Sequence, residues 1–280
     1  MKYFKLQRQY YYLVAGLQDI SLDISKLQFH LSEFKNEMLS HLHPEDYKLV
    51  EKLFLPYDNN NLLNFLEKNE GAFDSRGNYT LEDFEENLKE ASTLPEYMLI
   101  FMKAFVEKEK IFDLLSDENE LSTLFYDYIL KEDNVFLCEW FIFNRNVRNI
   151  TTALICRKYN INYENQIIGN DEISDIIRKS QARDFGLSGE LPYIDDLINI
   201  SRLDSVTERE KAIDLLKWKY LDEVTFFEYF TIEKILAFVI KTSLIERWLA
   251  IDKDYGNEMF KKLLTELENT YKLSKKNTEQ

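Results

Sequence analysis

Only seven glycines and four prolines punctuate a chain of 280 residues. So few turn formers cannot divide it into the many short strands of a sandwich or barrel. Long helices joined by a small number of turns remain, and the apolar spacing agrees with them. Hydrophobic residues make up 45% of the chain, ample for a core and too many for wholesale disorder. The predicted fold class is all-α. It is read as a single all-helical domain over 1–280, with the polar stretch 274–280 as a frayed tail.

Apolar residues at steps of three and four mark the individual helices. Leu62, Leu63, Phe65 and Leu66 read as a short helix after a breaker at Asp58-Asn59-Asn60-Asn61. Glu67 to Thr80, with Gly71 and Gly77, reads as a loop with little structure and as the weakest joint of the chain. Pro95 suits a first helical turn, and the apolar pattern continues from Tyr97 to Leu115. Ser116-Asp117 restarts it, and Leu121 to Leu130 is helical. The longest pattern runs from Val135 to Tyr159, followed by a break over 160–169. Asp171 to Ala182 forms another helix and Phe185 to Pro192 a turn, where Ser188 is placed to cap a helix and Glu190 to sit in its first turn. Thr207, with Glu210 three residues on, has the form of a capping box. Thr231 to Asp252 and Asp254 to Tyr271 are the last two helices.

Acidic side chains outnumber basic ones by 50 to 35, a net charge of −15. A surface of that sign repels phosphate backbones and anionic headgroups, so neither nucleic acid nor a direct lipid anchor is expected. No window approaches the roughly 20 apolar residues of a membrane-spanning helix, and the run Tyr10 to Leu17 is too short for a signal peptide. The expected location is the cytoplasm. Cys138 and Cys156 lie within helical patterns and read as reduced core cysteines. Residues 141–185 carry seven basic and five acidic residues, a relatively basic island suited to an acidic partner protein.

Motifs that carry chemistry are missing. His41 and His43 are two residues apart, and helical zinc pairs need a separation of four; they read as a solvated helix end. Gly186-Leu187-Ser188-Gly189 closes on Glu190 and so fails as a nucleophile elbow. No phosphate loop is present. Catalytic residues, metals and cofactors are therefore not expected. The unusual feature is polar. On the stripe of the Val135–Tyr159 helix lie Asn144, Arg148 and Thr151, which need partners if buried. The late helix carries Glu246 on its own stripe. One expectation is a buried ion pair between Arg148 and Glu246. The other is that Arg145 and Arg148 face a groove for a partner.

A faint internal echo joins Phe125-Tyr126-Asp127-Tyr128 to Phe226-Phe227-Glu228-Tyr229, each before a long helix bearing a tryptophan. It suits a repeated helical unit.

Several segments resemble a bacterial domain of unknown function whose members are typically encoded among V-type ATP synthase subunits. They are Tyr10 to Leu17, Asn146 to Asn149, Arg157 to Tyr159, Ile167 to Gly169 and, most specifically, Ala182-Arg183-Asp184-Phe185-Gly186-Leu187-Ser188-Gly189-Glu190-Leu191. The chain is also remotely similar to the C component of V/A-type ATPases, the relative of the eukaryotic d component. Asn146 to Tyr159 carries that likeness, as does Ile232 to Trp248 with Glu246 and Arg247. The resemblance implies a funnel-like assembly of three pseudo-repeated helical bundles. It also implies a non-catalytic rotor adapter, peripheral to the membrane, whose partners are the central-stalk subunits and the membrane rotor ring. Asn144, Arg145, Arg148, Arg183, Asp184, Glu246 and Arg247 are the residues expected to bind a partner or to form a structural polar network. A generic helical scaffold for another protein is the first rival, and a hydrolase using scattered carboxylates the second.

Overall fold

A computed structural model describes residues 8–251 apart from 24, 25, 28, 70, 72, 91 and 92. Among the described residues there is no strand. The helices are α1 (Tyr11–Ala15), α2 (Leu31–His41), α3 (Pro44–Glu67), α4 (Leu81–Lys89), α5 (Glu96–Glu107), α6 (Asp117–Ile129), α7 (Val135–Lys158), α8 (Glu172–Lys179), α9 (Ile194–Ser201) and α10 (Val206–Val224). A last helix, α11, is described over 232–251. The expected helix at 254–271 and tail at 274–280 lie outside the described residues.

Local chemistry fixes the start of five of these helices. The side chains of Thr80, Ser116, Asn134, Asp171 and Ser205 each accept a hydrogen bond from a backbone N–H in the first turn that follows. Such caps satisfy donors that the helix itself leaves open, each contributing about 1 kcal/mol. The box expected at Thr207 is displaced: Ser205 is the cap and accepts from Glu208 N at 3.3 Å. Ser188 caps nothing, because α9 begins only at Ile194.

α7 is the axis of the core. It packs against α6, α8, α9 and α10, while α3 lies against α6. One contiguous apolar cluster runs from Leu13 through Phe54, Phe101, Leu137, Ile150 and Leu221 to Ile240. Aromatic rings fix local geometry within it. Phe143 of α7 stacks on Tyr220 of α10 with centroids 3.9 Å apart and meets Tyr193 edge-on at 4.9 Å.

Two expected boundaries fail, for physical reasons. The supposed breaker at 58–61 is the middle of α3, a helix of 24 residues. Asp58 and Asn61 are buried, and their side chains point away from the helix to hold residues 74–79. Asn61 exchanges hydrogen bonds with Asp74, accepting from its N–H at 2.8 Å and donating to its carbonyl at 2.9 Å. Asp58 Oδ1 accepts from Asn78 N at 2.7 Å and Tyr79 N at 3.1 Å. The stretch read as a weak joint is thus stapled to α3. The second failure is α5, which stops at Glu107 because Lys108 turns left-handed at φ 55°. Residues after it fold back, and the N–H groups of Ile111 and Phe112 reach the buried carboxylate of Glu120 on α6 at 3.3 and 3.5 Å.

The echoed aromatic segments stand in different surroundings. Phe125 and Tyr126 are buried within α6, whereas Phe226 and Phe227 are 67% and 78% exposed in the turn after α10. No helix among the described residues is long and apolar enough to cross a membrane.

Candidate functional site

The polar middle of α7 is where the sequence concentrates unusual residues, and the fold turns most of them inward. Arg145 is only 4% exposed. Its Nη2 lies 2.9 Å from Asp171 Oδ2, and its guanidinium sits 5.8 Å from the centre of the Tyr126 ring. Asn149, fully buried, clasps the loop before α8 from both sides: it donates to Ile168 O at 2.7 Å and accepts from Ile168 N at 2.9 Å. Gly169 follows at φ +92°, a backbone state that side chains resist. A Cβ there would stand 3.0 Å from Asp171 Oδ2 and 3.1 Å from Arg145 Nη1. Ser174 Oγ lies 2.9 Å from Ile168 O and 2.7 Å from Asp171 Oδ2, closing the knot.

Arg148 is set differently. Its Nη2 donates to Asn119 Oδ1 at 2.8 Å and its Nη1 to Gln166 O at 3.4 Å. No carboxylate among the described residues pairs with it. Burial pushes its guanidinium below the ordinary value, with Tyr126 and Glu118 acting the other way. The expected ion pair with Glu246 does not form. Glu246 instead accepts from Leu31 N at 2.7 Å, placing a negative charge at the N-terminus of α2, and lies 3.9 Å from His30 Nδ1. The stripe count could not see this, since α2 meets Glu246 only in three dimensions.

Arg148 and Asn144 line a cleft of about 160 Å³ between α3, α6 and α7, with Asn60, Ser122 and Tyr126 opposite. The lining is mixed, with one guanidinium, the Glu118 carboxylate and several amides over an apolar base. It could hydrogen-bond a small polar or acidic group. Burial raises the Tyr126 phenol above its usual range, so it is a neutral donor and acceptor there.

The remaining basic island is largely occupied with carbonyls. Arg157 donates to Ala182 O at 2.7 Å and stacks 4.0 Å over the Phe185 ring. Arg178 donates to Ile167 O at 3.0 Å and pairs with Asp175 at 2.8 Å. Exposed cations in this stretch are Lys158, Lys179 and Arg183. Asp184, half-buried beside Arg183, accepts from Gly186 N at 3.0 Å. That contact and the Ser188 hydroxyl hold its carboxyl below the usual range.

Arg247 belongs to a third place. It bridges α11 to α10, bonded to Asp214 and to Glu210 at 3.2 Å. Asp214 is 1% exposed and also accepts from Trp248 Nε1 at 2.9 Å. The seven candidate residues therefore form separate groups: Asn144, Arg145 and Arg148 on α7, Arg183 and Asp184 in the turn before α9, and Glu246 and Arg247 on α11.

Sequence reasoning missed the Asp58 cluster. Burial pushes the Asp58 carboxyl up from 3.8 to about 6, against the opposing N–H groups of Tyr79 and Asn78 and the charge of Lys35. Lys35 donates to Asn78 Oδ1 at 2.9 Å and to Gly77 O at 3.2 Å. The only available signal was an acid and three amides in a row, which also reads as a turn. His43, expected at a solvated helix end, caps α3 by accepting from Glu45 N at 3.2 Å. Cys138 and Cys156 are free and half-buried. Among the described residues no group of three or more His, Cys, Asp or Glu could hold a metal ion.

No curated protein matches the chain. No solved structure matches it. The profile of a family described as a protein of unknown function, DUF2764, matches residues 7–271. With that match covering nearly the whole chain, the protein belongs to the DUF2764 family.

Proposed function

We propose that this chain is a non-catalytic adapter of a V-type ATPase or ATP synthase, placed in the cytoplasm between the central stalk and the membrane rotor ring. The observation that carries the reading is the placing of the two segments whose sequence resembles the C component of such ATPases. They lie on α7 and α11, and the first is the axis on which α6, α8, α9 and α10 pack. An adapter of this kind needs stiff helices with polar clasps between them, and the clasps of Arg145, Asn149 and Arg247 suit that need. In this adapter the helices form a funnel of three pseudo-equivalent bundles.

The test is purification of the tagged chain from its native membranes in mild detergent, with co-purifying chains identified by mass spectrometry. Recovery of central-stalk and ring subunits in a stable ratio supports the adapter. Recovery of an intact ATPase lacking this chain ends the reading.

A general protein-binding scaffold is the second reading. It is favoured by Tyr11, Tyr12, Phe226, Phe227 and Tyr229, all more than 60% exposed. The hydrolase reading draws no support from Asp58, whose carboxylate is fully enclosed and engaged by N–H donors.

A further inference from the structure

A groove of about 490 Å³ opens between α1, α2 and α11. Its size falls in the range of ligand pockets, about 300–1,000 Å³. Phe29, Phe34 and Phe238 form its floor, and their ring centroids stand 5.3 to 5.9 Å from one another. Leu13, which also lines the groove, is buried, so the apolar surface is already assembled without a ligand. Two exposed carboxylates, Glu33 and Glu37, stand at the mouth one helical turn apart on α2. Neither pairs with a Lys or Arg among the described residues. Like charges at that spacing cost a helix a few tenths of a kcal/mol, and a cation set between them would turn that repulsion into attraction.

The groove continues into an aromatic shelf. Tyr12 lines its edge and is 75% exposed. Tyr10 N donates to Phe230 O at 2.6 Å, and the Tyr11 and Phe230 rings meet at 4.7 Å. These contacts fix α1 beside the turn that exposes Phe226, Phe227 and Tyr229. Exposed aromatics beside a preformed pocket are the composition of a protein interface core.

We propose that this groove docks a basic amphipathic helix of a partner protein. Its apolar face enters over the three phenylalanines, and Lys or Arg residues one turn apart on its flank meet Glu33 and Glu37. Charge selects this occupant. A second copy would bring another −15 of net charge to an acidic mouth, and an anionic lipid surface would be repelled by it. The proposal stands whichever complex the chain serves. Failure of the membrane pull-down leaves it intact, and its own failure leaves the adapter reading intact.

The test is fluorescence anisotropy of labelled designed helices against the full-length chain. One peptide has a leucine face and a lysine flank, a second replaces lysine by glutamate, and a third has the first peptide's composition in scrambled order. Saturable 1:1 binding of the first peptide alone is expected. The exposed double variant Glu33→Gln/Glu37→Gln should weaken it by about tenfold, and Tyr12→Ala should weaken it as well. Glu107→Gln/Glu109→Gln removes the same charge from an exposed site elsewhere and should leave affinity unchanged. Equal loss in both double variants would reduce the binding to diffuse attraction and overturn the proposal. So would equal binding of the scrambled peptide, or no binding at all. Self-association in sedimentation velocity that Tyr12→Ala abolishes would assign the groove to a second copy instead, and Tyr12-dependent binding to anionic vesicles would assign it to a membrane.

Discussion

The Asp58 carboxylate accepts a hydrogen bond from the backbone N–H of Asn78 at 2.7 Å, joining the middle of α3 to a loop 20 residues further on. The Asn78 side chain returns a second bond to Asp58 Oδ2 at 2.7 Å. This enclosed acid has a definite effect on stability. Its folded pKa of about 6 lies above the ordinary 3.8, so the folded chain binds more protons than the unfolded chain between those values. Stability from this group is therefore full at low pH and falls as pH rises from about 4 to about 6, by about 3 kcal/mol at most. Asp58→Asn should lack that slope. Urea midpoints of both proteins across this window would show it, and parallel curves would disprove it.

Gly77 is the second handle on the same staple. A Cβ there would stand 2.3 Å from Asp58 Oδ1 and 3.2 Å from Asn61 Nδ2. Gly77→Ala must push the loop off α3 and should cost about 2 kcal/mol. In Asp58→Ala the obstruction is gone, so adding Gly77→Ala should cost much less there. A double-mutant cycle in urea reads the difference. Additive losses would mean that the loop yields without disturbing Asp58.

Arg145→Met keeps much of the side-chain volume but removes the charge that faces Asp171. Asp171 is 33% exposed and partly hydrated, so the loss should be about 2 kcal/mol, below the roughly 3 to 5 of a fully buried pair. Gly169→Ala attacks the same knot through its φ of +92°, with an expected loss of about 1 to 2 kcal/mol. Thermal unfolding of the two single variants and the double should give less than the sum of the two losses.

Arg247→Met takes the guanidinium from Asp214, which is 1% exposed and keeps the indole N–H of Trp248 and the nearby charge of Lys217. A loss of about 3 kcal/mol is expected. Adding Asp214→Asn should recover part of it, because a neutral amide tolerates burial better than a lone carboxylate. No recovery in chemical denaturation would show that the guanidinium stem, rather than its charge, holds α10 to α11.

Periodic segments were legible in the sequence, and so were the caps that begin them. Val135 to Tyr159 is a helix within one residue, and Ser116 starts α6 where its hydroxyl says it should. Polar residues with distant partners were not legible. Asp58 to Asn61 has turn composition, and only the loop at 74–79 explains why it is helix. Apolar spacing from Tyr97 to Leu115 runs past Lys108 although the residues beyond it belong to a link with no helix. The helix expected just after Ser188 begins only at Ile194, because the eight residues of α9 are too few to set a period that would fix its start. Arg148 and Glu246 sit on apolar stripes for unrelated reasons: one holds Asn119 and the other caps α2. Arg145, Asn146 and Asn149 are buried on the flank that the stripe count treated as open. A helix covered on nearly every side has no single wet face, so its period carries little information about which polar residue is enclosed.

α7 is clasped at four levels along its length, by Asp171, by Asn119, by Ile168 and by Ala182. A roll of one residue about its own axis is about 100°, and it would tear all four at once. The helix is keyed in its bed like a splined shaft, free neither to spin nor to slide. A push arriving through α6 must leave through α8 and the turn before α9 as displacement of the whole body, with almost none absorbed as slip inside it.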